Sequence, residues 1–278
     1  MKTIKAVFDP MPMQLGDEMI TRALPVRGQK RVGPFIMIDH FGPGTVYKGK
    51  EKGVPPHPHR GFEPITLMLE GTMEHRDSAG NHGLVGPGDV QWMTAGSGIL
   101  HAETPKVDGD TMPIHGLQIW VNLPKAHKMT EPKYQDIPSE KIPVIETEGS
   151  RLRVIAGAVN DVQGPASTFS PLTFMHGSLS AGHAVEIPIA PGFEAAVYLI
   201  SGEVQVMSET VAGRKLLAFD DAGEKIKFTA SQDAEYLVLA GEPLNEPYAQ
   251  YGPFVMNTAE ELIQAQRDFQ EGKMGYLA

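Results

Sequence analysis

The chain has 278 residues, 41% of them hydrophobic, with 24 Lys and Arg against 34 Asp and Glu and a net charge of -10. That length supports a full core in one large or two modest domains, and an acidic balance without a basic stripe argues against direct nucleic-acid binding and adhesion to anionic membranes. Cysteine is absent, which removes disulfides, thiolate metal sites, iron–sulfur clusters and cysteine nucleophiles and leaves His, Asp and Glu to carry any chemistry.

Met1 to Pro10 places Asp9 and Pro10 where a secretory peptide would need its apolar stretch, and no later apolar run reaches membrane-spanning length. A cytoplasmic, monomeric protein with no membrane partner is expected. Beyond it, 30 Gly and 23 Pro punctuate short apolar runs, the spacing of an all-β protein built as a sandwich or barrel. Strands are predicted around Ile65–Leu69, Leu117–Val121, Arg151–Ile155, Val197–Ile200 and Tyr236–Leu239. Pro124, Pro132, Pro138 and Pro143 interrupt regular structure between 124 and 150, so a linker region 124–150 divides an N-terminal domain, 1–123, from a C-terminal one, 151–278. One helix is predicted from Ala259 to Phe269, with Thr258 and Glu261 in capping-box spacing and Leu262, Ile263 and Phe269 as apolar positions.

Two segments repeat. Gly61-Phe62-Glu63 precedes Leu67-Met68-Leu69-Glu70-Gly71, and Gly192-Phe193-Glu194 precedes Tyr198-Leu199-Ile200-Ser201-Gly202, at one constant offset of 131 (192 − 61 and 202 − 71). A constant offset predicts two copies of one strand-turn-strand unit, hence two similar domains.

The chemistry sits in the first copy, at His57-Pro58-His59 and His101-Ala102-Glu103. Side chains alternate faces along a strand, so each i, i+2 pair shares a face, and two such strands can converge three imidazoles and one carboxylate on a single cation. That set suits iron, nickel, manganese, cobalt, copper or zinc, and on an octahedral ion it leaves two positions open. The second copy is expected to be metal-free, because the positions matching His57 and His59 are Pro188 and Ala190. His75, His82, His127, His176 and His183 read as surface or turn histidines, and His115 as a satisfied core histidine. Trp92 and Met93 either pack in the core or wall the pocket, and alternation turns Arg60 away from the metal face.

His57-Pro58-His59-Arg60-Gly61-Phe62-Glu63 and Gln91-Trp92-Met93-Thr94-Ala95-Gly96-Ser97-Gly98-Ile99-Leu100-His101-Ala102-Glu103 resemble the signatures of pirins. The likeness extends to Gly33-Pro34-Phe35 with Asp39 and Phe41, to Gly116–Asn122 and to the terminal helix. Pirins are bicupins of the cupin superfamily, so the resemblance implies two antiparallel β-barrel cupin domains, an N-terminal one that binds metal and a metal-free C-terminal one carrying the terminal helix. It also implies that His57, His59, His101 and Glu103 are the metal ligands, with Fe(II) the expected ion. Glu63 is a rival carboxylate, since ordinary cupins take a Glu four residues after the second His; the resemblance favours Glu103, leaving Glu63 to orient an imidazole or simply to line the barrel.

Fold alone does not choose a function. The resemblance implies a quercetin 2,3-dioxygenase-like activity on a flavonol with dioxygen, Glu103 acting as both ligand and catalytic base. Its alternatives are a metal-dependent regulatory protein acting on a protein partner without turnover, and a metal-stabilised structural module.

Overall fold

The computed structural model describes residues 1–16 and 18–277. It is an all-β protein with one α-helix, α1 (Ala259–Gln270), and two short 3₁₀ turns. The five predicted strands all form, inside Phe62–Glu70, Thr111–Asn122, Ser150–Ala156, Glu194–Val206 and Lys225–Gly241. Hydrogen bonding does not close either half into a full ring. The strands make a nine-stranded, a seven-stranded and a four-stranded sheet, with two small ribbons besides.

Chain contacts divide the molecule into two units, one of 13–20, 38–139 and 245–278 and the other of 1–12, 21–37 and 140–244. The termini therefore cross over. The strand Ile4–Phe8 joins the unit of the second half, pairing with Lys215–Phe219 in the register Val7↔Leu217. Helix α1 belongs to the unit of the first half, although the sequence assigned it to the second. Its capping box is complete: Thr258 accepts from the Glu261 amide, and Glu261 returns a bond to the Thr258 amide. Ala265 is buried with Phe254 and Met274, backed by Leu262 and Phe269, whereas Ile263, the third apolar position of the predicted helix, is 54% exposed. The stretch 124–150, expected to be irregular, contributes two strands. Lys133–Ile137 pairs with Val90–Thr94 and Val144–Thr147 pairs with Ser150–Ala156. Both sit at sheet edges, where flanking prolines cost no ladder bonds.

The repeat is visible in the ladder. Phe62–Glu70 is central, hydrogen-bonded to Val90–Thr94 on one side and Thr111–Asn122 on the other. Glu194–Val206 is likewise flanked by Lys215–Phe219 and Lys225–Gly241. The matching glycines that end the two motifs share one constraint. Gly71 has φ +81° and Gly202 φ +87°, and a Cβ on either would come within 2.3 Å or 2.1 Å of a backbone carbonyl oxygen, so only glycine fits.

The second-half unit is filled by a continuous apolar cluster from Leu152 and Val154 through Val197 and Leu217 to Phe228, Tyr236 and Val238. In the first-half unit buried polar groups, among them His59, His75, His101 and Glu103, lie beside the apolar core of Ile65, Leu67, Leu117 and Ile119. Its four-stranded sheet runs Val54–His59, Ile99–Pro105, Met73–Asp77, His82–Val85 in order. The seven-stranded sheet faces it, since Glu103 on the first accepts hydrogen bonds from Thr66 and Gln118 on the second.

Candidate metal centre

The strand Val54–His59 contains Pro55, Pro56 and Pro58 and lies at the edge of its sheet, the place where proline is tolerated. Its register with Ile99–Pro105 sets His57 directly opposite His101. A tight turn follows. Gly61 adopts φ +84°, and a Cβ there would meet the Val255 carbonyl oxygen at 2.0 Å. The Gly61 carbonyl accepts from the buried ammonium of Lys128 at 2.8 Å, and that ammonium also donates to Asn122 Oδ1 and the Val255 carbonyl. Burial pushes the Lys128 pKa down to about 7.

Three imidazoles meet at the site. Ring centroids of His57, His59 and His101 are 4.7, 4.3 and 4.8 Å apart, and their donor nitrogens lie within 4.8 Å of one another. His57 Nδ1 donates to the Pro55 carbonyl at 2.9 Å and His59 Nδ1 to the Pro253 carbonyl at 3.3 Å. Each donation leaves Nε2 as a bare lone pair, and these two Nε2 atoms face each other at 3.1 Å. His101 is fully buried, and neither of its nitrogens has a hydrogen-bond partner among the described residues. Burial, then the neighbouring imidazoles, hold the pKa values of His59 and His101 well below the ordinary range. Neutral imidazoles with opposed lone pairs fit a cation: a metal ion satisfies all of them, and the carbonyls behind His57 and His59 fix the ligating tautomer.

Glu103 is buried, with Oε1 accepting from Thr66 Oγ1 at 2.8 Å and Oε2 from Gln118 Nε2 at 2.9 Å. Gln118 is aligned in turn by Trp120 Nε1. Glu103 does not join the first cluster. It groups with His101 and with His75, a residue the sequence reading placed at the surface. His75 is in fact completely buried, and the signal that could have found it is His75-Arg76-Asp77, a third i, i+2 pair of polar residues. Glu63 stands apart from both clusters. Its Oε1 accepts from Thr94 Oγ1 at 2.7 Å, and burial raises its pKa to about 7.

Of the two roles open to Trp92 and Met93, core packing is the one observed: Trp92 is fully buried and Met93 packs with Ala95 and Ile99. Phe62 and Trp120, stacked at 4.1 Å, lie edge-on to His59 instead. Arg60 is engaged elsewhere than the imidazole cluster, donating to the Ser97 carbonyl and to Asp268 Oδ2 on α1. His82 and His127 are surface residues as expected, His176 pairs with Glu235 and His183 sits at a turn. His115 stacks on buried His40. Among the described residues, both clusters able to hold a metal lie in the first-half unit.

A Pirin family model matches residues 18–121, and a Pirin C-terminal cupin domain model matches 174–275. The chain belongs to the pirin family. The protein is a pirin-type bicupin. Similar pirins include human Pirin, 40% identical over 254 residues that cover 89% of this chain and 84% of that protein. A Pseudomonas aeruginosa protein named "Putative quercetin 2,3-dioxygenase" is 41% identical over 251 residues, 88% of this chain and 87% of its own. A crystal structure of quercetin 2,3-dioxygenase from Acinetobacter baumannii superimposes with a TM-score of 0.94 at 37% identity, covering all of both chains. The family resemblance and two-domain fold expected from the motifs are borne out. No helix among the described residues is long and apolar enough to cross a membrane.

Proposed function

We propose that this pirin is a divalent-metal-dependent dioxygenase that opens the central ring of a flavonol such as quercetin, with His57, His59, His101 and Glu103 as the metal ligands and iron as the preferred ion. The observation that carries the reading is the pair of bare Nε2 lone pairs facing each other at 3.1 Å beside an unpartnered, buried His101, an arrangement that is costly without a cation. The names of the Pseudomonas and Acinetobacter relatives support the substrate class.

When bound, the ion would supply Lewis acidity toward an enolisable hydroxyl and open positions for exchangeable ligands. The chain's own residues do the rest. Glu103 accepts the proton of the flavonol 3-hydroxyl at a carboxylate oxygen, and Thr66 and Gln118 hold that carboxylate in a fixed plane. Phe62 and Trp120, stacked on each other and edge-on to His59, pack apolar surface against that imidazole and shield it from water. The Pro55 and Pro253 carbonyls keep the two imidazoles in the tautomer that ligates.

The test is anaerobic reconstitution with Fe(II), Ni(II), Mn(II), Co(II), Cu(II) or Zn(II), followed by oxygen uptake and loss of quercetin absorbance. Turnover with at least one ion, abolished by chelation, is the expected result. Metal-loaded protein that binds quercetin without consuming oxygen under any ion refutes the enzyme reading.

A further inference from the structure

His75 lies on Met73–Asp77, directly opposite Glu103, while Asp77 lies opposite His101. Period-two alternation puts all four side chains on one face. His75 Nε2 is 3.2 Å from Asp77 Oδ2. That carboxylate is itself held fast, its Oδ1 accepting from the Ala79 and Asn81 amides and its Oδ2 from Asn81 Nδ2. An ionised carboxylate only accepts, so Nε2 carries the imidazole proton and Nδ1 is a bare lone pair. Nδ1 is buried with no hydrogen-bond partner among the described residues. Tyr134 stacks on the ring at 4.9 Å and 27°, fixing its plane.

An imidazole that donates one nitrogen to a carboxylate and presents the other bare is built like a metal-bound histidine. The donor atoms of His75, His101 and Glu103 all lie within 4.8 Å of one another, the same closeness that defines the His57, His59 and His101 cluster, and compatible with bonds of about 2.0–2.2 Å to a common ion. We propose that His75, His101 and Glu103 form a second seat for a divalent cation, overlapping the first at His101, with Asp77 as the residue that positions His75. An ion in this seat keeps His101 and is held by His75 and Glu103 in place of His57 and His59. Two imidazoles and a carboxylate suit the same borderline ions as the first seat.

The inference rests on the first cluster being a metal site, so wild-type protein is the control. Full-length chelator-treated protein is titrated with Co(II), read by its visible absorption and by competition with a chromophoric chelator. Wild type should take up Co(II). A His57→Ala/His59→Ala double variant should still bind one Co(II) more weakly, and adding His75→Gln should weaken that residual binding at least tenfold, in the range seen when metal-site support is removed. Asp77→Asn in the double-variant background should also weaken it, by about 10- to 100-fold. A folded double variant that takes no Co(II), or one whose residual affinity is indifferent to His75, overturns the second seat while leaving the first intact. Wild type that binds no Co(II) overturns both. Should circular dichroism show the double variant unfolded, a His57→Gln/His59→Gln variant, which keeps more of the side-chain volume, replaces it and the same two outcomes decide.

Discussion

Replacing Glu63 with Gln isolates the energetic effect of one buried carboxyl four residues from His59. Glu63 is 1% exposed, and burial raises its pKa from the ordinary value of 4.5 to about 7, with the Thr94 hydroxyl bond opposing the rise. Between these values the folded chain binds a proton that the unfolded chain releases, so stability falls as pH climbs. The penalty is nearly absent below pH 4.5 and complete above pH 7, and 2.5 units at about 1.4 kcal/mol each set its ceiling at about 3.5 kcal/mol. Gln keeps the volume and an oxygen that accepts from Thr94, but never ionises. Metal-free Glu63→Gln should therefore gain about 2–3 kcal/mol over wild type between pH 5 and pH 8, measured by urea unfolding at both values. His59 and His101 are present in both proteins, so the difference between them reports Glu63. A difference that stays constant from pH 5 to pH 8, or that moves against the variant as pH rises, would refute the assignment of Glu63 as a buried, largely neutral acid.

Three further outcomes follow from named contacts. Glu103→Gln should lower oxygen uptake with quercetin by about 10²- to 10⁴-fold while changing flavonol binding much less, which fluorescence titration would check. Gly61→Ala forces a Cβ against the Val255 carbonyl at a positive φ; it should cost about 2–4 kcal/mol in chemical denaturation and lower metal loading, because His59 is two residues away. Arg60→Ala leaves Asp268 with only Gln264 and the half-exposed Lys273, so a loss of about 3 kcal/mol should show as faster amide exchange from Phe254 through Met274.

Much of the site was legible before any fold was known because β-strand parity is a local rule. His57 with His59, and His101 with Glu103, had to share a face wherever their strands lay, and the constant spacing between the Gly61 and Gly192 motifs pointed to duplicated topology. The helix was legible for a similar reason, since a capping box satisfies amides within four residues. What lay beyond local rules is which strand neighbours which. His75 became a buried neighbour of Glu103 only through the register of Met73–Asp77 on Ile99–Pro105, and nothing within a few residues of it encodes that pairing. The crossing of the termini is of the same kind. An apolar strand such as Ile4–Phe8 can complete any open edge, and the amphipathic α1 can cover any apolar surface; the partner was decided by pairing with Lys215–Phe219 and by the buried Arg60–Asp268 bond. Sequence thus determined which side chains could act together on a strand, while tertiary structure determined which strands brought them to one place, because hydrophobic burial is non-directional and only register and specific polar pairing choose among equally apolar partners.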